Sequence, residues 1–207
     1  QSFRMMVEVG SLDALDILST ASSVIAEGEV MQLVAAKNTA TTEDEYLDVI
    51  RAKTAALFSA AAEVGPVLAR WPEPARSAFR SYGTNLGLAF QLIDDALDYG
   101  GSAADLGKEV GDDLREGKIT LPVVLSYRRG SDADRAFFDR VLMEGDVQDG
   151  DLETAIATMT RLDALKDTVE RASHYGAVAN DALAAFPDTN MKKSLLETVE
   201  FCIYRGH

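Results

Sequence analysis

Gly87-Leu88-Ala89-Phe90-Gln91-Leu92-Ile93-Asp94-Asp95-Ala96-Leu97-Asp98 is an apolar helical run that suddenly carries three carboxylates. At about 3.6 residues per turn, Gly83, Gly87, Gln91, Asp94 and Asp98 fall on one stripe, with Asp95 to its side. Acids stacked one turn apart repel each other by roughly 0.2 to 0.5 kcal/mol in an isolated helix, so a cation is expected over them. Leu88, Phe90, Leu92, Ile93 and Leu97 surround the stripe, which puts the acids at the rim of a buried wall. Gly83 and Gly87 each cost a helix interior up to about 1 kcal/mol relative to Ala. Their place on the stripe implies that a neighbour or ligand approaches closely.

Downstream, the segment from Gly100 to Gly117 holds five of the chain's fifteen glycines, with Asp105, Lys108, Asp112, Asp113, Arg115 and Glu116, followed by Lys118. A loop beyond about 12 to 15 residues is uncommon in a compact domain unless it is functional or disordered. It is not a nucleotide-binding P-loop: Gly101 to Gly107-Lys108 and Gly111 to Gly117-Lys118 each have one residue too many, and Glu109 and Ile119 stand where Ser or Thr is needed. Ile119-Thr120-Leu121-Pro122 opens a helix to about Tyr127, closed by Gly130, and Ser131 with Asp134 opens another to about Met143. Asp146 to Asp151 lacks the ligand spacing of a calcium loop, so a turn and a helix from about Asp151 are expected. Residues 162–185 and 190–204 read as two more helices.

Upstream, residues 2–9 read as a helix stopped by Gly10, and Ser11 with Asp13 caps a successor reaching about Lys37. Glu27, Gly28, Glu29 and Gln32 interrupt its apolar pattern. Either the acids face solvent while Gly28 permits close packing, or the group is functional. Thr42 and Glu45 form a capping box for a helix from about Glu43 to Val64, ended by Gly65-Pro66. Lys53 and Thr54 lie beside its apolar side, and Lys53 reads as a solvated charge unless an anion site is near. Trp71-Pro72-Glu73-Pro74 is a rigid break before the acid-bearing helix, which stops at Gly100-Gly101. No strand-like alternation persists, so the chain reads as all-α and as one domain over residues 1–207.

The net charge of −14 argues against a nucleic-acid partner. One cysteine, Cys202, excludes an internal disulfide and suits a reducing cytoplasm, and two histidines exclude a His-based metal centre. No apolar run reaches the roughly 18 to 20 residues of a membrane span. From the start at Gln1, inside an apolar-patterned segment, the chain is expected to be a fragment whose beginning lies elsewhere.

Clustered carboxylates without cysteine or histidine favour a hard, oxygen-seeking cation such as Mg²⁺. With Lys108 and Lys118 arriving from the following loop, and Lys53 as a third cation, the set has the chemistry of a diphosphate site. In these motifs the chain resembles the trans-isoprenyl diphosphate synthases, whose second aspartate-rich motif is similar to Phe90 to Asp98. Gly107-Lys108, Gly111-Asp112, Glu116-Gly117-Lys118-Ile119-Thr120-Leu121-Pro122, Gly28-Glu29 with Gln32, and Lys53-Thr54-Ala55 match as well. The likeness covers essentially the whole chain, and Lys53-Thr54-Ala55-Ala56-Leu57-Phe58 resembles the long-chain polyprenyl branch. The family's first aspartate-rich motif, and the basic residues that hold isopentenyl diphosphate, precede the region resembling Gln1 onward.

The resemblance implies an isoprenoid synthase-type helical bundle around a central cavity, without its N-terminal helices. It implies Mg²⁺-dependent condensation of an allylic diphosphate with isopentenyl diphosphate into a longer trans-polyprenyl diphosphate, by ionisation, condensation and elimination. Asp94, Asp95 and Asp98 would bind Mg²⁺, Asp94 foremost. Lys53, Lys108 and Lys118 would hold the allylic diphosphate, and Thr54 and Gln91 would steady the carbocation. Asp112 and Asp113 would either contact a metal-bound water or cap the next helix, and the structural reading is preferred. A homodimer is expected, and the chain by itself is expected to be inactive. Two other readings stand beside this one, a class I terpene cyclase and a noncatalytic partner subunit of a synthase.

Overall fold

The structure, a computed structural model, describes residues 2–36, 38–100 and 110–205. Every regular element among these residues is helical, as the pattern predicts. Helix α1 (Ser2–Val9) ends at Gly10, whose φ of +70° is the left-handed stop expected of glycine. Helix α2 (Leu12–Ala35) is capped by Ser11, whose hydroxyl accepts from the Ala14 N–H. Helix α3 (Glu43–Ile50) begins with the complete Thr42/Glu45 capping box.

Beyond α3 the expected single helix departs from its pattern. Arg51–Ala55 is a π turn, closed by the Ala56 N–H on the Arg51 carbonyl, and it leads into α4 (Ala56–Leu68). Such a turn inserts a residue and rotates the helix beyond it, so it often marks a functional position. It contains Lys53 and Thr54. Gly65-Pro66 does not end the helix. Pro66 falls in the last turn, where its missing N–H forfeits one bond, while the Gly65 and Pro66 carbonyls still accept from Ala69 and Trp71.

The acid-bearing helix is α5 (Glu73–Gly100). A single turn, α6 (Asp112–Arg115), precedes α7 (Leu121–Arg129) and α8 (Asp132–Phe138), the latter extended by a second π turn at Asp139–Met143. Helices α9 (Asp151–Arg161), α10 (Ala164–Ala182) and α11 (Asn190–Tyr204) complete the described chain.

Helix α5 is the axis of the bundle, packing against α4, α10, α11 and the first π turn. Leu88, Leu92, Ile93 and Tyr99 join Leu121, Leu125, Phe138 and Met159 in the larger core, and Tyr82 and Leu86 join Leu183, Val199 and Ile203 in a second cluster. Gly83 and Gly87 admit a neighbour rather than a ligand. A Cβ at Gly83 would lie 2.3 Å from the Phe58 carbonyl oxygen, and one at Gly87 would lie 2.6 Å from the Ala55 Cα. The glycines let α4 and the π turn press against the acid-bearing stripe.

On α2 the side chains buried within the described bundle are small, Ala14, Ala21 and Gly28, while Leu12, Val30, Leu33 and Val34 are exposed. Among the described residues no helix is long and apolar enough to cross a membrane.

Candidate functional site

The first π turn, the end of α5 and the residues after α6 enclose a cavity of about 260 Å³. Its wall includes Lys53, Thr54, Gln91, Asp94, Asp95 and Lys118, together with Gln32 and Tyr46. Six of the eight site residues named from the sequence therefore meet in one place. Lys108 lies outside the described residues. Asp98 is fully buried and is not part of the cavity wall.

Asp98, named with Asp94 and Asp95 as a Mg²⁺ ligand, has a buried side chain. Its Oδ2 accepts from the Asp113 N–H at 3.1 Å, and its carbonyl accepts from the Gly111 N–H at 2.8 Å. Asp94 and Asp95 both line the cavity, Asp94 partly exposed and Asp95 buried, while Asp98 bonds the start of α6. Asp113 is buried and also reaches the cavity, where Lys118 Nζ donates to its Oδ1 at 2.9 Å. Asp112 pairs with Arg115 across the α6 turn.

Lys53 is not a solvated charge. Its ammonium donates to Gln32 Oε1 at 2.5 Å and lies 3.2 Å from Glu29 Oε1. The break in the α2 pattern is thereby explained by both of its readings at once, since a Cβ on Gly28 would meet the Lys53 backbone nitrogen at 2.5 Å. Gly28 lets the π turn come close, and Glu29 and Gln32 hold the lysine it presents.

The cation expected over the acids is also present. Arg205, just after α11, stacks on the Phe90 ring with its guanidinium carbon 4.2 Å from the centroid, and its Nη2 lies 3.3 Å from Asp94 Oδ1. Lys118 adds a second cation, bonded to Glu116 as well as Asp113. Burial disfavours its charge, but the bonds to Glu116 and Asp113 outweigh that and raise its pKa.

Asp95 has the most perturbed acid chemistry at the cavity. Burial pushes its carboxyl up to about 7, against the pull of hydrogen bonds from Tyr46 and Gln91, with Asp113 and Asp94 pushing further upward. A carboxyl whose folded pKa is raised contributes stability that is fully present below its unfolded pKa and is lost as pH rises through the folded value. Without divalent cations, the difference in unfolding midpoint between the unaltered protein and Asp95→Asn should therefore shift against the unaltered protein between about pH 4 and pH 7. Thermal denaturation of both proteins across that range reads the change, and a flat difference would contradict it.

Sequence reasoning missed Tyr46, which sits on α3 and donates to Asp95 Oδ2 at 2.5 Å. Its spacing of seven from Lys53 signals a shared helix face, but nothing local shows that the phenol tip emerges beside an acid. Among the described residues no set of three or more Asp, Glu, His or Cys converges as a metal cluster. The cavity nevertheless suits Mg²⁺, because Asp94 and Asp95 offer hard oxygen donors and this ion is commonly bound by one or two carboxylates, with water and phosphate oxygens completing its shell.

Solved structures with the all-α isoprenoid synthase fold superpose on the chain. The family model described as Polyprenyl synthetase matches residues 1–159, and the chain belongs to that family. It is 38% identical over 205 residues to the octaprenyl diphosphate synthase of Escherichia coli (strain K12), covering 99% of this chain and 63% of that protein. It is similar to the crystal structure of a decaprenyl diphosphate synthase from Rhodobacter capsulatus, with a TM-score of 0.93 and 48% identity, covering 100% of this chain and 63% of that one. A polyprenyl synthase from Caulobacter crescentus, solved with calcium and isoprenyl diphosphate, gives a TM-score of 0.95 at 43% identity over 99% of this chain and 62% of its own. The chain thus spans less than two thirds of the length of these relatives.

Proposed function

We propose that the protein carrying this chain is a prenyltransferase that condenses an allylic diphosphate with isopentenyl diphosphate to make a long trans-polyprenyl diphosphate. The observation that carries the reading is the cavity wall itself, where Asp94 and Asp95 face the same space as Lys53, Lys118 and the Thr54–Gln91 pair. In the reaction the allylic C–O bond breaks and diphosphate leaves with the electron pair. The double bond of isopentenyl diphosphate then forms the new C–C bond, and loss of a proton restores an alkene five carbons further on.

Each wall residue has work in that sequence. Lys53 and Lys118, with Lys108 from outside the described residues, bind the departing diphosphate and offset its developing charge. Thr54 and Gln91 turn oxygen dipoles toward the allylic cation. The apolar side chains around the stripe keep water from it. Asp94 and Asp95 would hold Mg²⁺, with Asp98 orienting the α6 turn behind them, and the bound ion supplies positive charge against the diphosphate.

The long-chain product is drawn from the octaprenyl and decaprenyl names of the relatives and from the Lys53 to Phe58 segment. A homodimer in the cytoplasm completes the reading. The test is incubation of the complete protein with farnesyl diphosphate and labelled isopentenyl diphosphate, with and without Mg²⁺. Mg²⁺-dependent incorporation of label into an extractable polyprenyl chain is expected. Consumption of the allylic diphosphate without incorporation would indicate a cyclase, and incorporation only on adding another synthase would indicate a partner subunit.

A further inference from the structure

Asp95 is 3% exposed and receives donors from two sides, Tyr46 O–H on Oδ2 at 2.5 Å and Gln91 Nε2 on Oδ1 at 2.8 Å. Both Asp95 oxygens accept in the structure, as those of the ionised carboxylate holding Mg²⁺ would have to, so the end of the Gln91 amide that faces it is the NH₂. Gln91 Oε1 is consequently turned toward Thr54, 2.8 Å from its Oγ1. An amide oxygen also only accepts, which commits the single Thr54 hydroxyl proton to Gln91. What Thr54 has left for the cavity is lone pairs. The hydrogen bonds from Tyr46 to Asp95 and from Thr54 through Gln91 to Asp95 thus have one sense, set at the buried carboxylate.

We infer that Tyr46 is a positioning residue for the reaction: its phenol pins Asp95 in the orientation that holds the Gln91 amide, so that Gln91 and Thr54 meet the allylic cation with oxygen rather than with N–H or O–H. The inference rests on the prenyl-transfer reading of this site. Tyr46 suits the role because its ring is locked in the main core with Ile50, Leu88 and Leu92 while the residue still contributes to the cavity wall. Without its hydroxyl, Asp95 Oδ2 loses this donor and the carboxylate can turn to bond elsewhere. A Gln91 amide released from Asp95 can then flip, placing NH₂ where the cation needs oxygen.

The experiment uses the complete protein with Mg²⁺ and two analogues of the allylic diphosphate, measured by calorimetry. One is neutral at the reacting carbon and has a sulfur bridge that resists ionisation. The other carries a protonated amine in place of that carbon. Tyr46→Phe should bind the neutral analogue like the unaltered protein and the amine analogue about tenfold more weakly, the size of effect expected from hydrogen bonds to a charged group. Turnover should fall by about the same factor, with the KM for allylic diphosphate changed less than about twofold.

Asp95→Asn, which breaks the acceptor-only rule at nearly constant shape, guards against a Tyr46→Phe effect that is only misfolding. It should lower the amine-to-neutral affinity ratio by itself, and adding Tyr46→Phe should lower it little further, because the two residues act as a unit. Unchanged discrimination in Tyr46→Phe, or losses that multiply in the double variant, overturns the Tyr46 role and leaves the prenyl-transfer reading standing. Failure of the unaltered protein to bind either analogue with Mg²⁺ overturns that reading, and the inference with it.

Discussion

Asp94→Ala in the complete protein is expected to lower Mg²⁺-dependent condensation about a thousandfold, the loss seen when a preorganised group that stabilises transition-state charge is removed. The helix should survive intact. Asp94 is 37% exposed at its side chain, and the structural contacts it forfeits include the 3.3 Å approach of Arg205, whose guanidinium remains on the Phe90 ring. Removing a partly exposed member of such a pair costs roughly 0 to 1 kcal/mol. Circular dichroism and a turnover assay on the same preparation check both halves. Turnover within a few-fold of the unaltered protein would remove Asp94 from the mechanism. Asp98→Ala provides the contrast, since Asp98 is fully buried and accepts from the Asp113 N–H, so its loss should appear first as a lower unfolding midpoint.

Gly28→Val is expected to destabilise the protein by about 3 kcal/mol and to impair diphosphate binding as well, which an ordinary overpacking change remote from the site would not do. A Cβ there would stand 2.5 Å from the Lys53 nitrogen, 2.8 Å from its Cα and 2.9 Å from the Ala52 carbonyl carbon. All three are backbone atoms, which cannot rotate away as a side-chain end can. The π turn would have to move off α2, taking the Lys53 ammonium away from Gln32 and Glu29. Urea denaturation measures the first effect, and calorimetric titration with an allylic diphosphate analogue measures the second. A variant of normal stability and affinity would mean that α2 and the π turn are free to slide.

Much of the site was legible in the residues because it is built from local patterns. The acids stand at helical spacing in an apolar run, the capping boxes at Thr42 and Ser131 mark helix starts, and the break at Glu27 to Gln32 is visible as a fault in the α2 pattern. The fault shows that something interrupts the helix face. It does not show that Lys53, 21 positions beyond Gln32, supplies the partner. The π turn at Arg51–Ala55 is hidden for a related reason, since its residues are compatible with an ordinary α-helix and close packing on Gly28 and Gly87 accompanies its widened turn.

Taken alone, the sequence determined that this chain is all helical, and it named Asp94, Asp95, Asp98 and nearby lysines as the candidate centre of its chemistry. Helical periodicity, capping and residue chemistry are properties of neighbours along the chain. Only the tertiary structure decided which acids meet the cavity. It buried Asp98 against α6, left Asp94 partly exposed with Asp95 buried beside it, and brought Tyr46 and Gln91 to the two oxygens of Asp95. The reason is physical: a carboxylate's role depends on the donors and burial around it, and those are supplied by elements distant in sequence, pressed together by the packing of α3, α4 and α5.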